Sequence, residues 1–105
     1  MASQFSARVL ASVTTSLEKY GAAVSQVLIW NFESETKLSA ADIARKPQKF
    51  VDCVYRIFGP SAGAIEKSMT EEVCIEFKFD PAGVPGFVKA VEIARANTLK
   101  EELTD

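Results

Sequence analysis

Histidine is absent from all 105 residues. That removes the side chain most often used as a general acid or base near neutral pH, and the commonest imidazole ligand for metals. Cysteine is nearly absent as well. Cys53 and Cys74 stand far apart, each among apolar residues ("FVDCVYRIF", "EEVCIEF"). Two thiols so placed make neither a zinc site nor the disulfide framework of a small secreted domain, so both read as reduced core residues. Glycine and proline number only five and four and fall at apparent boundaries, which favours long helices over many tight turns. No apolar run approaches the roughly 20 residues needed to span a bilayer. The opening "MASQFSARVLASVTTSLEKY" has neither the charged start nor the apolar block of a signal peptide. A soluble, cytoplasmic protein with no membrane association is expected. With a net charge of −2 there is no general attraction to nucleic acid phosphates.

What is present is the composition of a folded domain, 48% hydrophobic and 25% charged, in a chain short enough to be one domain over residues 1–105. Phe5, Val9, Val13 and Leu17 recur every four residues, with Leu10 and Tyr20 widening the stripe, and predict a helix over 4–20. Ser3 is placed to cap it and Gly21 to stop it in a left-handed turn. Ala7, Ala11, Ser12 and Ser16 are small enough to admit a second helix closely. The next element, "AAVSQVLIWNFESETK", is apolar around much of its circumference and reads as a second helix, although "VLIWNF" also suits a strand.

The stretch "KLSAADIARKPQKFVDCVYRIFGPSAGAIEKS" carries most of the punctuation. Ser39 and Asp42 form a near capping box, Leu38 and Ile43 a hydrophobic staple, and a short helix over 40–45 follows. Pro47 opens a helix over 47–58, Gly59 and Pro60 close it, and Ser61 is placed to cap the next. Residues 62–78 are ambiguous. Ile65, Met69, Val73 and Phe77 have helical spacing, but Val73, Ile75, Phe77 and Phe79 alternate as in a strand. Helix is the preferred reading for 73–79. "DPAGVPGF" is a turn, and a last helix spans about 86–102, with "KEELTD" expected to fray.

Candidate chemistry is sparse. Glu71, Glu72 and Glu76 read as a solvated acidic face rather than a cation site. "GPSAG" precedes a helix but lacks the P-loop ending and the Rossmann glycine spacing. Cys53 has no histidine to activate it, though Lys49 or Arg56 would lower its pKa if close. Charge is segregated: residues 37–56 carry five basic side chains against two acidic, and residues 66–80 the reverse. Such segments can pair within the fold, pair across an interface, or remain two solvated faces. Arg45, Lys46, Lys49 and Arg56 form the candidate basic patch. It would touch phosphates if the flanking helices were a helix-turn-helix, but the second helix lacks polar side chains for base edges.

The order of signals in "LEKYGAAVSQVLIWNFESETKLSAADIARKPQKFVDCVYRIFGPSAGAIEKSMTEEV" resembles the small archaeal output-domain family named after Nitrosopumilus. It shares a helix ending near "YG", a helix with an aromatic pair, a Leu-Ser/Lys-x-x-Asp-Ile segment, a Pro-x-x-Phe-Val helix ending "IFG", and a small-residue start to an Ile-Glu-Lys helix. The resemblance covers residues 13–75. It implies a helical output or sensor module of a signalling protein and brings no catalytic motif; the C-terminal segment lies outside it.

The fold expected is all-α, a compact bundle of about five helices. The alternative is α+β, with a two-stranded pairing of 27–32 and 73–79. The function expected is a non-enzymatic regulatory module that docks a protein partner or a second copy of itself, with no cofactor and no metal. Trp30, Phe32, Phe77 and Phe79 are the residues expected to form the interaction surface, because they exceed what so small a core readily encloses. The competing readings are a small hydrophobic-ligand carrier, whose pocket those aromatics would line, and a DNA-binding regulator.

Overall fold

The computed structural model describes residues 4–104, with side chains described through Leu99. Helices α1 (Gln4–Glu18), α2 (Ala22–Thr36), α3 (Pro47–Phe58), α4 (Ala62–Glu76) and α5 (Phe87–Thr104) are joined by two 3-10 turns, Ala40–Ile43 and Gly59–Ser61. No strand occurs among the described residues. The all-helical reading holds, and the strand pairing of 27–32 with 73–79 does not. In α2 the period of 3.6 decides the outcome: Leu28 and Phe32 are fully buried four residues apart, while Val27 and Trp30 face outward. A strand would have put Val27, Ile29 and Asn31 on one face, which nothing here encloses.

Helix α1 presents Val9, Val13 and Leu17 to the interior with no exposed area. It packs chiefly on α4, which also carries α5; α2 lies against α1 and α3. Of the four small residues on α1, Ser12 and Ser16 are buried and Ala7 and Ala11 are exposed. Ser3, the expected cap, lies outside the described residues. The helix stops at Glu18, two residues early, because the chain tightens: Tyr20 N–H donates to Leu17 O at 2.9 Å and Gly21 N–H to Glu18 O at 3.0 Å. Gly21 then takes φ 114° and ψ 145°. This is not the expected left-handed helical stop but an extended conformation at positive φ, favoured by glycine, and it redirects the chain into α2.

The segment after α2 follows its punctuation closely. The Asp42 carboxylate accepts from the Ser39 N–H at 3.0 Å and the Ser39 hydroxyl at 3.2 Å. Ile43 is fully buried and Leu38 packs on the core beside it. The expected short helix over 40–45 is a single 3-10 turn, since Pro47 opens α3 so soon afterwards. Gly59 closes α3, and Ser61 makes no side-chain cap to α4.

Helix α4 ends at Glu76, so Phe77 and Phe79 are not helical as expected. Phe79 N–H donates to Cys74 O at 3.0 Å and Lys78 N–H to Ile75 O at 3.3 Å, with Lys78 left-handed at φ 60°. These paired bonds are a Schellman ending, and they turn Phe79 back onto the core. Helix α5 runs through Thr104, past its expected end. At the centre, Phe50 of α3 joins Phe32 of α2 edge-on, centroids 5.4 Å apart, and Phe87 of α5 at 6.3 Å. All three rings are fully buried, so one aromatic cluster ties three helices together.

Candidate functional site

The four aromatics expected to make one surface or pocket are dispersed. Trp30 is 67% exposed and Phe32 is 0% exposed. Two residues apart on a helix means roughly 200° of rotation, so one faces water when the other faces the core. Phe77 is buried, its ring 5.3 Å from Phe5 and beneath the Arg8 guanidinium at 4.2 Å. Phe79 is partly buried by the turn that ends α4. They line no common cavity, because helix rotation and the Schellman turn send three of them to the core side.

What remains outside is the outer face of α2. Trp30 and Val27 stand exposed there, flanked by Ala23, Gln26 and Ser34, with the exposed Glu33 at the border beside Gln26. Helical spacing puts Ala23, Val27, Trp30 and Ser34 in one line, and none of these residues is charged. In a chain that is one quarter charged, this is a distinct surface. Val27 and the small flanking residues were not picked out from the sequence; the outward face of an otherwise apolar helix was the available signal.

The basic patch is also rearranged. Arg56 forms an ion pair with Glu35 on α2. Cys53 lies beside that pair, its Sγ 3.5 Å from Glu35 Oε2. Burial raises the thiol's pKa and Glu35 raises it further, against a weaker opposing pull from Arg56. The neighbouring cation therefore does not make it a thiolate. Arg45 binds Asp42 at 3.0 Å. Lys46 and Lys49 stay exposed and share a cleft with Arg45 and with Arg95 of α5. Arg95 was missed by sequence reasoning, since nothing local ties it to the chain 46 to 50 residues earlier.

The oppositely charged segments do not pair as ions among the described residues. The acidic segment instead meets α1: Lys19 reaches Glu72 at 2.7 Å and Arg8 reaches Glu76 at 2.8 Å. Arg8 also donates to the Glu76 carbonyl at 3.1 Å, a cation at the negative end of α4. Glu72 and Glu76 are thus engaged, and no group of three metal-ligating side chains occurs among the described residues.

A second cleft, of about 750 Å³, runs beside Glu66 on α4. Glu66 was not singled out from the sequence, yet it joins three elements. Its carboxylate accepts from Tyr55 Oη at 2.8 Å and from the Phe87 N–H at 3.0 Å, capping α5. A Cβ on Gly86 would lie 2.5 Å from Glu66 Oε2, so that close approach requires glycine. No local spacing announces a cap supplied from another helix.

No family model matches the chain, and neither a curated protein nor a solved structure shows significant similarity to it. Among the described residues no helix is long and apolar enough to cross a membrane.

Proposed function

We propose that the chain is a non-enzymatic interaction module that acts by docking through the outer face of α2. The observation that carries this reading is Trp30, the chain's single tryptophan, two-thirds exposed in line with the uncharged Ala23, Val27 and Ser34. Covering an aromatic of that size is worth on the order of 2–3 kcal/mol. An uncharged ridge is best matched by a surface equally free of charge, and the occupant assigned here is a second copy of the same face. In an antiparallel pairing of two α2 helices centred between Gln26 and Val27, each Trp30 lies over Ala23 of the second copy, large against small. The role is that of a regulatory or output module in a signalling system of the archaeal kind, in keeping with the helix signals described above.

Sedimentation velocity across a concentration series tests the reading. Reversible dimers are expected, lost in Trp30→Ser and weakened in Ala23→Glu. A Trp30→Ser variant that dimerises like the parent would overturn it. So would a parent chain that stays monomeric at the highest concentration.

A further inference from the structure

Between the start of α3 and the middle of α5 lies a cleft of about 480 Å³. Four cations from separate parts of the chain edge it: Arg45 and Lys46 from the turn, Lys49 from the first turn of α3, and Arg95 from α5. Its apolar wall includes Val88 and Val91, and Glu92 is its one carboxylate. We propose that this cleft binds a small phosphate-bearing anion, a diphosphate or triphosphate group.

Three observations point there. Arg95 is held in place before any ligand arrives: it donates to the Ala44 carbonyl at 2.7 Å, and its guanidinium lies 4.7 Å from the Phe5 ring centroid. Lys46 and Lys49 are exposed and have no carboxylate partner among the described residues, unlike Arg8, Lys19 and Arg56. Arg45 is held by Asp42, but Lys46, Lys49 and Arg95 bring positive charge to the cleft that no carboxylate pairs among the described residues, in a chain whose overall charge is negative. Helix α3 also begins here without a side-chain cap or an acidic residue in its first turn, so its dipole adds to the same field.

The surroundings set the size of the ligand. Beyond Lys49 the surface carries Asp52 and Glu35, the latter paired with Arg56, and Glu92 lines the cleft itself. A nucleic acid backbone extended past Lys49 would run towards Asp52 and Glu35. A compact anion with two or three phosphates can sit among Lys46, Lys49 and Arg95, away from Glu35 and Asp52 and with Glu92 held by Lys89.

Calorimetric titration with inorganic pyrophosphate tests the proposal, and a 20-base-pair DNA duplex serves as the second probe. The lysines have no structural partner, so Lys46→Gln and Lys49→Gln are expected to fold like the parent. Arg95→Gln is read only alongside a melting curve. Saturable pyrophosphate binding is expected, weakened about tenfold or more by the double lysine variant and falling with added salt, while Lys67→Gln leaves it unchanged. Absence of binding up to about 10 mM, with no rise in melting temperature, would overturn it. Equal binding by the double lysine variant, or tighter binding of the duplex than of pyrophosphate, would overturn it as well. The cleft is separate from the α2 face, and neither result bears on the other.

Discussion

Ser16 is fully enclosed and its hydroxyl has no hydrogen-bond partner among the described residues. Its neighbour one turn earlier differs, since Ser12 Oγ donates to the Arg8 carbonyl at 3.0 Å. A buried hydroxyl without a partner costs roughly 1–3 kcal/mol in desolvation. Ser16→Ala removes that cost and improves helix propensity, so it is expected to raise stability by about 1 kcal/mol, or several degrees in melting temperature. Ser12→Ala should give less, and a Ser16→Ala variant that melts lower than the parent would contradict the assignment. Asp42 allows a test by pH. The Ser39 N–H, then the Arg45 guanidinium, hold its carboxyl below the ordinary value of 3.8. A depressed folded pKa contributes stability above the unfolded value and loses it as pH falls through the folded one. Parent and Asp42→Asn should therefore differ by a constant amount above about pH 5 and converge below about pH 4. A difference that is the same at pH 7 and at pH 2.5 would count against the capping role.

Glu66 and Gly86 couple the start of α5 to α4, and their coupling is measurable. Loss of the cap in Glu66→Ala is expected to cost about 1–2 kcal/mol. Gly86→Ala should cost a similar amount, because its new methyl displaces the carboxylate rather than straining the backbone. Once Glu66 is gone that methyl meets nothing, so the double variant should be no worse than Glu66→Ala alone. Additive losses in denaturant unfolding would show that the two do not act through one contact. The same pair shows where sequence reading stops. Ser39, Asp42, Pro47 and Gly59 act on residues within a turn of themselves, and each was legible from its neighbours. Glu66 caps a helix 21 residues away, and Arg95 reaches a carbonyl 51 residues away. Neither has a local signature. The end of α4 was obscured for a different reason: Lys78, not glycine, occupies the left-handed position, so the usual stop signal was missing and Val73 to Phe79 kept both a helical and an alternating pattern.

Around the whole molecule, the apolar content seen in the sequence is accommodated better than its aromatics implied. The Cα radius of gyration is 13.2 Å, close to the roughly 13 Å of a compact chain of about 100 residues. Phe32, Phe50 and Phe87 share one interior cluster, and of the four aromatics taken for a surface only Trp30 stands clear of the hydrophobic core. Periodicity made the helices legible, but it could not say which side of an all-apolar helix would be covered. That depends on how α1 and α3 flank α2 and leave its far side open. The emission of the single tryptophan reads this directly. Diluting the parent protein should shift its maximum to the red, towards fully hydrated indole, as paired α2 faces separate, and an Ala23→Glu variant should show the red-shifted spectrum at every concentration. An emission maximum that is already red-shifted and does not move between micromolar and millimolar protein would contradict docking of α2 on a second copy.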